Sequence, residues 1–390
     1  MIRGICFIGH LALLMAPSLA VANEPTSEWM RETLSQIVIY QQNPLRAARS
    51  LSLVSVAIND AILGVLGQGE SMARARAAAH IAAGDTLAHL YPQTSPGRFQ
   101  AKAFYLAADT AHQENLSHTP EWLAGKRVAA EVVRRALADG TDRIWNPSTR
   151  PLSAPGVWRG TPPLNMHTPL EPLAGTWRTW VLEIIQDIDV PAPVHYGSET
   201  YQAEAREVWE VTRNLSARQK QIASEWHLEG DSVTPAGVWN LKLLSLAGEL
   251  GLETVNAAQF VSAANVAMMD ALIATWHVKY KYWTARPVQA IRESIDAAFL
   301  PFLVTPAFPG YVSGHAALSG AVAEVIACHF PAHAQRFREQ AEQAAMSRLH
   351  GGIHFRSDNE AGLALGVVAG RKVCAAAAKH QVRWLNRGLL

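Results

Sequence analysis

From residue 44 onward, apolar residues recur every three or four positions between short polar breaks, the pattern of helices that bury one face or more. Asn43-Pro44 supplies a capping side chain and a proline at the first helical position, and Leu51, Val54, Val56, Ile58 and Ile62 follow at helical spacing. Further helices are predicted at 71–90, 98–115, 119–138, 199–213, 216–228 and 235–250. The longest is predicted at 252–285, through Ala257, Val261, Ala264, Met268, Leu272 and Trp276, and ends at Arg286-Pro287 because proline disfavours helix at the residue before it. Three more, at 314–330, 332–349 and 358–380, close the series. Strand-like alternation is missing and alanine is frequent, so the predicted class is all-α, with two packed four-helix-type bundles. Residues 145–175 break the pattern with seven prolines, too many for a helix, while the tryptophans nearby are too many for a disordered linker. An ordered excursion wrapped over the bundle is expected there.

The N-terminus reads differently. Arg3 is the only charge in residues 1–22, an apolar run at 5–15 follows, and Ala20-Val21-Ala22 offers the small residues of a cleavage site. That run is short of the roughly 20 residues a membrane span needs, so a cleavable signal peptide at 1–22 is expected. No later stretch is expected to be long and apolar enough to span, which leaves a periplasmic or secreted protein that is not membrane-embedded. The remainder divides into an N-terminal helical scaffold, 23–230, and a C-terminal helical bundle, 231–390, packed as one unit. The chain carries 34 Lys and Arg against 33 Asp and Glu, and loss of Arg3 with the signal peptide brings the balance to zero. Nothing in that balance gives the electrostatic footprint of a nucleic-acid binder. Cys328 and Cys374 would remain in a compartment where disulfides form, yet both fall in helical runs read as facing the core, which favours two buried thiols over a bridge.

Three segments carry candidate chemistry. Lys279 and Arg286 are seven residues apart on the predicted long helix, hence on one face at its C-terminal end, and the neighbouring Trp276, Tyr280, Tyr282 and Trp283 would partly desolvate them. A desolvated cation needs an anion. The turn Pro309-Gly310-Tyr311-Val312-Ser313-Gly314-His315 opens directly into a helix, whose first N–H groups and positive dipole end suit a phosphate-like anion, with His315 as a proton donor beside it. In the third segment, Ser347-Arg348 precedes His354 and Asp358. Ser357 and Glu360 have capping-box spacing, which would put Asp358 in the first turn of the last helix, where it could turn back to hold one nitrogen of His354. Taken singly, each segment has an ordinary reading: a solvated helix end, a helix cap, a structural histidine.

Together they resemble a known signature. Lys279, six residues, Arg286-Pro287; then Ser313-Gly314-His315; then Ser347-Arg348, five residues, His354, three residues, Asp358: this pattern is similar to that shared by vanadium-dependent haloperoxidases and the type-2 phosphatidic acid phosphatase superfamily, which includes bacterial acid phosphatases. The resemblance extends loosely to residues 234–240, and it departs at Val312, where the family usually has proline. The long helical lead-in, Trp276 and Phe308 are more like the haloperoxidases, in which the two aromatic positions look like walls of the halide and peroxide pocket. That resemblance implies a vanadium chloroperoxidase-like fold with vanadate as cofactor and hydrogen peroxide and halide as substrates. Lys279, Arg286, Arg348, Ser313 and the Gly314 N–H would hold the oxyanion, with His315 beside it. His354 would be the residue bonded to the metal, oriented by Asp358. His315 would take a proton from hydrogen peroxide, Lys279 would polarise the bound peroxide, and a hypohalous-acid equivalent would result. The alternative implied by the same residues is a secreted acid phosphatase acting on a phosphomonoester without vanadate. There His354 would attack phosphorus, Asp358 would orient it and His315 would protonate the leaving alcohol.

Overall fold

The chain is described by a computed structural model over residues 24–378 and 382–385, apart from 96, 113–114, 184–186 and 229–230. The expected signal peptide at 1–22 and residue 230, the last of the expected scaffold, lie outside the described residues. Among the described residues there are thirteen α-helices and no strand, the class the periodicity predicts. In chain order they are α1 Pro25–Ile39, α2 Pro44–Leu66, α3 Met72–Leu90, α4 Arg98–Ala111, α5 Pro120–Leu137, α6 Glu199–Arg213, α7 Ala217–Glu225, α8 Thr234–Glu249, α9 Thr254–Tyr282, α10 Pro287–Ser294, α11 Gly314–His329, α12 Ala334–His350 and α13 Arg356–Ala377. Two of these, α1 and α10, have no counterpart in the helices predicted from sequence. Both start on a proline at the first helical position.

The 29-residue α9 is the axis of the molecule, packed against α2, α11 and α13. From Ala257 to Thr275 it is apolar nearly all round, as a helix surrounded by others must be. This corrects one expectation: α2 and α9 are both long and apolar enough to cross a membrane by length and composition. Their apolar windows are 83% and 94% buried within the protein itself, so protein neighbours take the place that lipid would. A second difference is that α9 stops at Tyr282, because Trp283 adopts a left-handed conformation (φ 50°) as its C-terminal residue.

Helices α11 and α13 run parallel in near-backbone contact. Glycines make this possible: a Cβ at Gly366 would collide with the carbonyl oxygen of Ala317, and one at Gly370 would lie 2.7 Å from that of Ala321. The parallel arrangement sets both N-termini at one end of the pair, where the Ser313 N–H donates to the Asp358 carbonyl at 2.9 Å. Near the other end Cys328 and Cys374 form a disulfide, contrary to the two buried thiols expected. Cys328 faces outward rather than into the core, and the tight packing brings the two Cα atoms to 6.5 Å.

The proline-rich excursion is ordered over the bundle, as expected, and fixed by backbone bonds. Just past the excursion, the side chain of the fully buried Asp270 on α9 accepts the N–H groups of Trp180, Val181 and Leu182 at 2.7, 2.7 and 2.9 Å. Trp158 N–H donates to the Trp283 carbonyl at 2.7 Å, and Leu170 N–H to Ala307 at 2.8 Å. The disulfide closes a segment of 46 residues between α11 and α13. Its reduction, or Cys328→Ser, is expected to cost about 2–4 kcal/mol in urea unfolding. An unfolding midpoint insensitive to reductant would show that the bridge does not form in the folded protein.

Candidate active site

Each of the three candidate segments arrives at the same place, by a partly different route from the one predicted. Lys279 sits in the last turn of α9, wholly buried, and its ammonium donates to the carbonyls of Pro309 at 2.8 Å and Gly310 at 2.6 Å. Arg286 is not on that helix face. It lies beyond the end of α9 in extended conformation, as the residue preceding α10, and the chain reversal at Trp283 rather than a two-turn repeat brings it to Lys279. Its guanidinium donates to the carbonyls of Phe308 at 2.9 Å and Ile353 at 2.7 Å, and its Nη1 is 2.9 Å from His354 Nε2. Arg348, in the last turn of α12, donates to Ser347 Oγ at 2.9 Å and to the Ala223 carbonyl at 3.2 Å.

The last helix also starts earlier than its capping-box spacing suggests. α13 begins at Arg356, and Asp358, its third residue, accepts the Phe355 N–H at 3.2 Å. Ser357, expected to be the cap, instead gives its N–H and hydroxyl to Glu204 on α6. Asp358 Oδ2 is 2.8 Å from His354 Nδ1. Burial, with Arg286 and Lys279 close by, holds the imidazole of His354 well below its ordinary pKa. It is therefore neutral, with its proton on Nδ1 toward the carboxylate and the Nε2 lone pair facing Arg286. Burial also drives Lys279 well below its usual value, reinforced by Arg286 and opposed by Asp358. Asp358 is pushed up to about 7 by burial, against the pull of Lys279 and Arg286.

His315, in the first turn of α11, has its Nε2 3.0 Å from the Trp226 carbonyl. A carbonyl can only accept, so Nε2 carries the proton and Nδ1 the lone pair. Burial and the neighbouring Arg348 hold this imidazole neutral as well. In front of these groups lies a cavity of about 490 Å³ with His354, Arg348, Gly314 and His315 among its lining and Trp276 and Phe308 as walls. The two rings pack with centroids 5.0 Å apart, and Lys279 Nζ lies 5.2 Å from the Phe308 ring centre and 5.8 Å from that of Trp276.

Several parts of the site had no motif to announce them. The carbonyls of Pro309, Gly310, Ala223 and Trp226 are backbone atoms, which residue identity does not encode. Leu164, Met166 and Leu170 of the excursion complete the cavity wall, and nothing in the proline pattern shows which face would turn inward.

The donors fit an oxyanion. Among the described residues, three buried basic side chains, Lys279, Arg286 and Arg348, share the site with the buried carboxyl of Asp358, and two helix N-termini add partial positive charge. Ser313 Oγ, buried at the start of α11, has no hydrogen-bond partner among the described residues. Among the described residues no group of three or more His, Cys, Asp or Glu could hold a bare metal ion.

Residues 259–335 and 329–383 match the family model of the VCPO second helical-bundle domain. The structure is similar to that of a bacterial vanadium-dependent iodoperoxidase, with a TM-score of 0.74 and 24% identity over 90% of this chain and 95% of the other. It is also similar to the apo and holo forms of a bacterial vanadium-dependent chloroperoxidase. The apo form gives a TM-score of 0.64 and 14% identity over 85% of this chain and 95% of the other. For the holo form the values are 0.65 and 15% over 94% and 95%. No curated protein sequence matches the chain.

The hydroxyl of Ser313 separates binding from folding. Ser313→Ala removes a buried polar atom that the fold does not use, so stability to urea should hold or rise by on the order of 1 kcal/mol. Affinity for orthovanadate, measured calorimetrically, should fall by about tenfold or more, the worth of one hydrogen bond to a charged group. The reverse outcome, lost stability with unchanged affinity, would assign the hydroxyl to the fold.

Proposed function

We propose that this chain, which carries the VCPO-type second helical-bundle domain on a vanadium-haloperoxidase fold, is a vanadate-dependent haloperoxidase that oxidises halide with hydrogen peroxide to a hypohalous-acid equivalent. The observation that carries the reading is the neutral His354, its Nε2 lone pair directed into a buried ring of three cations and two helix N-termini. Bound vanadate supplies the activation of peroxide for oxygen transfer to halide.

The protein's own work is to bind, orient and move protons. Lys279, Arg286, Arg348, Ser313 and the Gly314 N–H would hold the oxyanion's oxygens, where low local dielectric would strengthen each contact. His354 Nε2 would be the metal ligand, its tautomer fixed by Asp358 through Nδ1. The proton of incoming peroxide passes to His315 Nδ1, the nitrogen left with a lone pair once Nε2–H is engaged by the Trp226 carbonyl. Lys279, buried against Phe308, donates to the peroxide oxygen and draws electron density from it. Trp276 and Phe308 wall the halide approach and keep bulk water from the reacting oxygen.

The disulfide supports export as well, because such bonds persist in oxidising compartments. With the expected signal peptide at 1–22, the protein is assigned to the periplasm or the medium, with no nucleic-acid partner.

Purified protein loaded with orthovanadate and freed of phosphate should oxidise bromide or iodide with hydrogen peroxide, and His354→Ala should abolish that turnover. Hydrolysis of p-nitrophenyl phosphate by the vanadate-free protein, with no halide oxidation after loading, would instead identify it as an acid phosphatase working through His354.

A further inference from the structure

One face of α6, in the N-terminal part of the chain, lies along the segment that presents His354 and Asp358. Tyr201 packs on Phe355 with ring centroids 5.3 Å apart. One turn on, Glu204 accepts the Ser357 N–H through Oε1 at 2.8 Å and the Ser357 hydroxyl through Oε2 at 2.8 Å. Glu207 then pairs with Arg356, whose Nε is 2.9 Å from Oε1 and 3.2 Å from Oε2. Ala205 and Val208 share a small apolar core with Phe355, Leu349 and Val288. Residues 201, 204, 205 and 208 fall on one helical stripe. That stripe, with Glu207 at its edge, therefore contacts three consecutive residues, Phe355, Arg356 and Ser357, between the histidine and the carboxylate.

The two Glu204 bonds are directed at a weak point. The first N–H groups of a helix have no partner inside it. In α13 the first-turn N–H of Ser357 is taken by Glu204, while Asp358 takes that of Phe355 and is thereby kept beside His354 Nδ1. Glu204 is absent from the lining of the catalytic cavity. Together with Tyr201, Ser357 and Asp358 it lines a separate, smaller cavity of about 290 Å³. It touches neither the oxyanion donors nor the approach of peroxide, so it reaches the site through its hold on Ser357 at the start of α13 and through its charge near Asp358, which raises that carboxyl's pKa.

We infer that Glu204 is a positioning residue for the His354–Asp358 pair: its two-point hold on Ser357 fixes the first turn of α13, and thereby the aim of His354 Nε2. This rests on the oxyanion site proposed above, and the test keeps the two separable. Calorimetric titration of the purified full-length protein with orthovanadate is combined with proton NMR of the downfield His354 Nδ1–H, assigned by its loss in His354→Gln. Glu204→Ala should weaken orthovanadate binding by about 10–100-fold, the usual effect of removing an outer partner of a metal ligand, and broaden or shift the N–H signal. Glu204→Gln keeps an oxygen for the Ser357 N–H and should restore most of the affinity and the signal. Ser357→Ala removes the hydroxyl bond alone, should show a smaller loss in the same direction, and serves if Glu204→Ala fails to fold. Wild-type affinity with an unchanged resonance in the folded variants would overturn the inference, as would a Glu204→Gln protein as impaired as Glu204→Ala. If the wild-type protein itself binds no orthovanadate, the proposed function fails, while the His354 N–H signal still decides the role of Glu204.

Discussion

The glycine-mediated contact between α11 and α13 is the constraint on which the site depends. Two parallel helices whose backbones touch place both N-termini at one end, and the Ser313 to Asp358 backbone bond locks the two starts together. Each start contributes uncompensated N–H groups and a partial positive charge. Parallel dipoles repel, and an oxyanion at the shared end would offset them. A larger residue at Gly366 would push the helices apart and move the anion donors of α11 away from the His354 anchor of α13.

The cations have two jobs at once. Burying Lys279, Arg286 and Arg348 without partners would be prohibitive, and backbone carbonyls accept from all three. Those carbonyls belong to the loops that carry the other site residues: Phe308, Pro309 and Gly310 before the α11 turn, and Ile353 before His354. The side chains that would bind the anion therefore also hold its cradle in shape. The depressed pKa of Lys279 follows first from burial and then from the nearby Arg286, against the pull of Asp358.

Much of this was legible in the sequence, and the exceptions share a cause. Helical periodicity located most of the helices, and three spaced motifs named the residues that meet in the site. What periodicity could not show is where a helix stops for reasons outside itself: α9 ends on the left-handed Trp283, which moved Arg286 off the helix without moving it from the site. The capping-box spacing at Ser357 was a true local signal overridden by a tertiary one, because Glu204 on α6 claims both groups a cap would have used. Cys328 was misread because a helix that is apolar almost all round has no clear inward face, and its disulfide partner is visible only once α11 and α13 are packed. The same property makes α2 and α9 pass for membrane spans.

The parts that escaped the motifs mostly belong to the region that reads as scaffold. α6 holds the start of α13, the segment around α7 supplies the Ala223 and Trp226 carbonyls to Arg348 and His315, and the excursion closes the cavity with Leu164, Met166 and Leu170. A motif can specify which atoms meet the reacting centre, but it cannot specify their aim. A ring nitrogen or a guanidinium points where its surroundings hold it, and in this fold those surroundings come from residues far away in the chain with no signature of their own. The long helical lead-in is thus part of the chemistry: it turns a set of residues able to bind an oxyanion into one geometry for doing so.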